Sequence, residues 1–268
     1  MPLAFSMIVL GGLSLGGGLI SPWVSWPLNQ VNVQLGRLAD TFIEYVAEQP
    51  YSVWYVDQSG YPGGLTVFDL PDGEAAIYLD GGVLIDTGSA LSANRLVRPT
   101  LEQAGVRVET VLLSHHDRGH SHGVAEFPMA RTLPRGEGLV GDLYEVKTYP
   151  IRSRSKRADD NGQFIMIEAQ GAKILYIADS GYEAFDALNG LDLTCDILIC
   201  GAHAQGESVV EDFLAYTGAH TLIIGRSYYH RELFSKPLVT VYDQYLCGAV
   251  RVDLSTGSIS QMRSPLIK

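Results

Sequence analysis

Ser114-His115-His116-Asp117-Arg118-Gly119-His120-Ser121-His122-Gly123 places four of the chain's seven histidines within eight residues. The apolar residues Val111, Leu112 and Leu113 precede it and read as the end of a strand. The cluster is therefore expected on a loop at a strand's C-terminal end, where open α/β sheets place their chemistry. Imidazole and carboxylate donors together suit Zn, Mn or Fe, and close spacing lets one loop turn several of them toward one ion. A polar loop of solvent-facing histidines is the plainer alternative. Four further strand ends argue against it. Asp86 closes Leu84-Ile85-Asp86-Thr87-Gly88, and Asp179 closes Tyr176-Ile177-Ala178-Asp179. His203 follows Leu198-Ile199-Cys200-Gly201-Ala202, and His230 lies beyond the run that ends at Gly225.

Around the cluster, short β-branched and aromatic runs alternate with Gly, Pro and Asp. They predict strands over residues 53–56, 65–69, 75–79, 83–86 and 111–114. A helix fits 92–104, with Leu96, Val97, Thr100 and Leu101 inward and Gly105 as its stop. Beyond the cluster, strands fit 164–169 and 173–178, hinged at Gln170-Gly171, then 196–200, 221–225 and 249–253. Helices fit near 182–188 and 209–216. Hairpins mixed with strand–helix–strand units imply α/β layers with mixed sheets.

The first 50 residues read differently, so the chain divides into segments 1–50 and 51–268. No charged side chain precedes Arg37, and residues 3–20 are apolar apart from Gly and Ser. Spanning a bilayer takes about 20 such residues, so this run is of nearly sufficient length. It lacks the basic start of a secretory signal. Trp23 and Trp26 at its end suit a membrane interface, beside the breaking residues Pro22 and Pro27. Val31, Leu35, Leu38, Phe42 and Val46 then recur at helical spacing opposite Arg37, Asp40 and Glu44. That is an amphipathic helix, lying on a membrane or packed on the domain.

Composition sets limits on function. With 46% hydrophobic and 18% charged residues, the chain can bury a core, and disorder is excluded. Thirty acidic residues against nineteen basic ones leave a net charge of −11, which argues against a chain coated in nucleic acid. Cys195, Cys200 and Cys247 form no CxxC pair and read as buried apolar residues, not a disulfide scaffold. One stretch runs against the acidic background: Arg152-Ser153-Arg154-Ser155-Lys156-Arg157. Alternation in an extended loop would project Arg152, Arg154 and Lys156 to one side, where with Arg157 they could track a phosphate backbone. A solvated loop or a membrane-proximal positive patch is at least as good a reading, and Asp159-Asp160 partly offset the charge.

The LIDTG turn followed by SHxDxxH resembles the metallo-β-lactamase superfamily. Within it, the order of motifs is similar to the extracytoplasmic C-terminal domain of ComEC-type proteins, the inner-membrane channel for DNA uptake in natural competence. Those domains open with a strand and a VGQGDA-like turn, here Phe68-Asp69-Leu70-Pro71-Asp72-Gly73-Glu74-Ala75. An LIDTG strand, a helix ending at Gly and a SHPDADHxGG-like loop follow. Later come an LLTGD-like strand end at Asp179, an HHGS-like turn at Ala202-His203 before Phe213-Leu214, and a YGHP-like Tyr228-Tyr229-His230. The correspondence runs from about residue 64 to 260.

The resemblance implies an α/β fold, a four-layer αββα sandwich holding metal between strand ends, preceded by an N-terminal apolar transmembrane helix. It implies one or two divalent ions, Zn or Mn, held by His115, Asp117, His120, Asp179 and His203. Asp117 or Asp179 would orient the attacking water, His230 would ligate or protonate a leaving oxygen, and Asp86 would orient a ligand from behind or simply cap its turn. A bound ion would lower the pKa of water from 15.7 toward about 7. The implied activity is a metal-dependent nuclease or phosphodiesterase acting on DNA during uptake, without base reading. Placement follows: the inner membrane, with an extracytoplasmic domain and a separate membrane protein forming the channel, since one span makes no pore. This chain departs from the family at Gly119, where an aspartate is expected, at Ala202 for a histidine, and at Arg231 for a proline. Those departures leave either a single-ion site rescued by His116 or His122, or a degenerate relative. A soluble metallohydrolase of a small ester and a non-catalytic scaffold remain the rivals.

Overall fold

The computed structural model describes residues 30, 31, 33, 34, 37, 63–71, 74–188, 190–201, 207–225 and 239–262. The chain divides into two units, Met1–Ser52 and Val53–Lys268. In the first, Gln30, Val31, Val33, Gln34 and Arg37 are helical and exposed. The expected apolar segment over 3–20 and the strand over 53–56 lie outside the described residues. No helix among the described residues is long and apolar enough to cross a membrane.

The second unit begins with β1 (Gly64–Val67), β2 (Ile77–Leu79), β3 (Val83–Ile85), β4 (Thr110–Leu112) and β5 (Arg131–Thr132). Next come β6 (Leu139–Val140), β7 (Tyr144–Pro150), β8 (Gln163–Ala169), β9 (Lys173–Tyr176) and β10 (Ile197–Cys200). The last four strands are β11 (Thr221–Ile224), β12 (Thr240–Asp243), β13 (Ala249–Asp253) and β14 (Ile259–Met262). They form two sheets, in the orders β14-β13-β1-β2-β3-β4-β5 and β12-β11-β10-β9-β8-β7-β6. Both sheets are mixed. β3 pairs parallel with β4, and β9 with β10, while β1–β2 and β7–β8 are antiparallel.

Strand alternation builds the layers. Ile165, Ile167, Ile174 and Tyr176 of one sheet meet Leu65, Val67, Ile77 and Ile85 of the other in a shared core. The intervening residues Phe164, Met166 and Leu175 face outward onto Val209, Val210 and Phe213 of the helix Glu207–Thr217. On the opposite outer face, Tyr78, Leu84 and Val111 pack on Ala93, Val97 and Leu101. Helices thus cover both outer faces of a two-sheet sandwich, the expected α/β layering.

The helix expected over 92–104 runs from 90 to 103 in three pieces: Ala90–Ser92, a π segment Ala93–Val97, and Arg98–Gln103. Ser89 caps its start, and its side chain accepts from Ser92 N. Pro99 has no N–H to donate, and the wider turn sits immediately before it. The histidine cluster is not wholly a loop. Arg118–Ser121 form a short helix, because Asp117 serves as N-cap and accepts from Gly119 N.

Candidate metal centre

β3 and β9 end in the same way. Asp86 follows β3 with φ 53°, and Ala178, just before Asp179, has φ 51°. A left-handed conformation in a non-glycine residue costs on the order of 1–3 kcal/mol and is found mostly at functional sites. The Asp86 carboxylate is completely buried and accepts four hydrogen bonds. Its Oδ1 takes Ser114 N at 2.7 Å, and its Oδ2 takes Ser114 Oγ at 2.6 Å, His120 Nδ1 at 2.8 Å and Tyr176 OH at 2.7 Å. Tyr176 belongs to the other sheet, so this carboxylate joins the two strand ends. Burial alone would raise the pKa of Asp86, but the neighbouring charge of His120 holds it below the usual value.

His120 is buried and held on both sides, by Asp86 at Nδ1 and by Asp179 Oδ2 at Nε2, 3.0 Å away. Burial works against its charged form, yet the two carboxylates more than reverse this and lift its pKa to about 10. Asp179 has room because residue 201 is glycine: a Cβ there would sit 1.8 Å from Asp179 Oδ1.

His115 is also buried, with its ring centroid 4.1 Å from that of His120. Its surroundings fix its tautomer. The Ser114 hydroxyl has one proton, which it donates to Asp86, so it accepts from His115 Nδ1–H at 3.0 Å. Nε2 is left with its lone pair, buried and with no hydrogen-bond partner among the described residues. Burial, then the charge of His120, hold the His115 pKa below the usual histidine value. Gly162 lets the next segment approach, since a Cβ there would lie 2.9 Å from His115 Cβ. That segment carries Asp159, whose Oδ1 is 3.5 Å from His115 Nε2 and whose Oδ2 accepts from Arg157 at 2.7 Å.

Two donor sets result. One ligand atom each from His115, His120 and Asp179 lies within 4.8 Å of the others, and the same holds for His115, Asp117 and Asp159. A neutral imidazole lone pair facing carboxylates is the chemistry of a divalent-cation site, with the other ring nitrogen held by a hydrogen bond. The residues fit such an ion.

The structure thus brings together His115, Asp117, His120, Asp179 and Asp86, across 31 to 93 positions of sequence from Asp86 to Asp117 and Asp179. His203, His230, Ala202 and Arg231 lie outside the described residues. His116 and His122 are exposed and enter neither donor set. Three contributors escaped sequence reading. Ser114 and Tyr176 hold Asp86, and a tyrosine inside an apolar strand is itself a signal, because its hydroxyl needs a partner. Asp159 read only as an offset to the basic stretch.

That stretch adjoins the site. Arg152, Arg154, Lys156 and Arg157 are exposed, while Ser153 and Ser155 are half-buried. Asn161 organises the loop, donating to Ser155 O and Arg157 O and accepting from Ser153 N. A cleft of about 420 Å³ opens beside His115, lined by Leu113, His116, Leu133, Pro134, Arg135 and Asn161 among others.

No family model matches the chain. It is similar to competence protein ComA of Neisseria gonorrhoeae, 25% identical over 240 residues that cover 76% of this chain and 34% of that protein. The chain therefore spans about a third of that relative's length. Among solved structures it resembles YhfI of Bacillus subtilis, a metallo-β-lactamase fold protein, with TM-score 0.50 and 12% identity. That match covers 74% of this chain and 99% of YhfI. Tm1679, a metal-dependent hydrolase of the β-lactamase superfamily, matches with TM-score 0.51 and 12% identity, covering 74% of this chain and 98% of its own. Identity this low speaks for the fold alone: this chain has the metallo-β-lactamase fold.

Proposed function

We propose that the chain is a metal-dependent phosphodiester hydrolase that acts on a nucleic-acid backbone without reading bases, and on DNA during uptake. The observation that carries this reading is the buried His115 lone pair 3.5 Å from Asp159, in a donor set with Asp117, while Arg157 of the exposed basic stretch bonds the other oxygen of Asp159. When bound, a divalent ion supplies Lewis acidity toward a phosphoryl oxygen and acidifies water. The chain's own residues do the rest. Arg152, Arg154, Lys156 and Arg157 hold phosphates in sequence-independent contact. Exposed Asp117 accepts a proton from the attacking water as its oxygen bonds to phosphorus. The bridging P–O bond breaks, and the leaving oxygen is protonated by His230 or by solvent. Asp86 keeps His120 and Ser114 in place.

The likeness to ComA supports a role in DNA uptake at the inner membrane, with residues 3–20 as the tether, an extracytoplasmic domain, and a separate membrane protein as the channel. Fractionation of the full chain tests the tether, which fails if the chain is soluble and monodisperse without detergent.

Cleavage of DNA oligomers of unrelated sequence by Mn2+- or Zn2+-loaded protein tests the activity. The expected result is cleavage abolished by chelator, with similar rates across sequences. Arg154→Ala combined with Lys156→Ala should reduce the log–log salt slope of DNA binding by about two. Hydrolysis of a small ester with no action on DNA would favour the rival reading, which the cleft beside His115 supports.

A further inference from the structure

We infer that the chain holds a single catalytic-type cation on His115, Asp117 and Asp159, with Asp159 supplying the carboxylate that Gly119 lacks. The inference rests on the hydrolase reading and adds the ligand set and the ion count. Three observations lead to it.

The first is the lone pair. Ser114 fixes the tautomer of His115, so Nε2 is an acceptor buried in the protein with no donor among the described residues to satisfy it. An orphaned buried acceptor is costly unless something binds it. Asp159 Oδ1, which is also an acceptor, lies 3.5 Å away. Two acceptors facing each other call for a cation between them.

The second is the geometry. Ligand atoms of His115, Asp117 and Asp159 already lie within 4.8 Å of one another. Donors sharing an ion at about 2.0–2.2 Å are roughly 3–4 Å apart, so the set closes with side-chain movements of about an ångström. Asp117 is exposed and Asp159 half-buried, which leaves an open path for the ion.

The third is the contrast with the neighbouring set. Both nitrogens of His120 are already within hydrogen-bond distance of carboxylates, Asp86 at 2.8 Å and Asp179 at 3.0 Å. An ion there would have to displace the proton shared between His120 Nε2 and Asp179 Oδ2. At His115 no such bond is in the way. Among the described residues Arg157 competes on the open side, holding the other oxygen of Asp159. Its exposed guanidinium lets it turn to solvent, or to a substrate phosphate, once the ion arrives.

Calorimetric titration of the full chain with Mn2+ and with Zn2+, under conditions where circular dichroism shows a folded protein, tests the inference. The expected result is one ion per chain, with affinity falling about tenfold or more in Asp159→Asn and changing less than about threefold in Asp179→Asn. If Asp159→Asn does not fold, Asp117→Asn carries the test, since asparagine caps a helix as well as aspartate does. It should lose affinity to the same degree. Binding of one ion that survives Asp159→Asn, or Asp117→Asn, would overturn this ligand set and leave the hydrolase reading standing. Greater loss in Asp179→Asn would move the ion to the other set and overturn it likewise. Two ions per chain in the wild type would also refute it, whereas no ion at all would remove the hydrolase reading with it.

Discussion

His115 and His120 stand ring against ring, yet the two sides of the site that they define are built for opposite ends. On the His120 side every polar atom has a partner. Asp86, Tyr176, Ser114 and Asp179 close around it and tie the ends of two sheets together. On the His115 side a lone pair is left over, the carboxylates reach solvent, and Arg157 of the basic stretch bonds Asp159. One imidazole has both ring nitrogens hydrogen-bonded to carboxylates, and the other has one nitrogen bonded to a hydroxyl and one left over.

The largest effect is expected where the closed side is broken. Asp86→Ala leaves the Tyr176 hydroxyl, the Ser114 hydroxyl and His120 without their shared acceptor in a fully buried place. Loss of one partner from a buried charge pair costs about 3–5 kcal/mol. Urea unfolding should show that fall, and a loss below about 1 kcal/mol would mean the carboxylate is dispensable to the fold.

Two glycines allow each side to be disturbed separately. In Gly201→Ala the new methyl collides with Asp179 Oδ1, and in Gly162→Ala it collides with Ser114 O, 2.5 Å away. Overpacking of this kind costs typically about 1–3 kcal/mol. Both should lower the melting temperature, but only Gly162→Ala should weaken metal binding by about tenfold or more. Equal loss of binding in both would mean the sides are one site.

How far the sequence carried this comparison depends on the kind of signal. Asp86 and Asp179 were legible because each ends a run of buried apolar residues, where the strand's periodicity stops abruptly. His115, Asp117 and His120 were legible as a cluster. Strands β5, β6 and β14 were not foreseen, because they are short, lie at or near sheet edges and bury little. β7 was missed although Tyr144, Glu145, Val146 and Lys147 alternate, since its charged half disguises a strand exposed on one side. Asp159 left no local trace at all. Its role comes from Gly162 allowing two loops to touch, a contact made by tertiary packing alone.

A smaller effect should appear with pH in the metal-free chain. The pKa of His120 is raised in the fold, so its stabilisation is complete below its unfolded value near 6.5 and is lost as pH rises toward about 10. His115 has the opposite sign. Its pKa is lowered, so stability falls as pH drops below 6.5, and lowered Asp86 adds to that loss under acid conditions. Urea midpoints measured across this range should therefore peak near neutrality. A midpoint that keeps rising toward pH 10 would show that His120 is not held as a cation.

The smallest effect expected is that of Gly119→Asp. The nearest atoms to a Cβ there belong to Glu74, at 3.6 Å, which is ordinary contact, so the side chain fits. An added hard oxygen donor beside Asp117 should raise the metal-to-protein ratio modestly. An unchanged ratio in a folded variant would mean that the new carboxylate stays against Glu74 and adds nothing to either side.

The most direct measurement is an anomalous-scattering map from crystals of the chain soaked in Mn2+. The expected result is one peak among His115 Nε2, Asp117 and Asp159, with His120 still bonded to Asp86 and Asp179. A peak between His120 and Asp179, with the pocket in front of His115 empty, would contradict the division of the site into a closed and an open side.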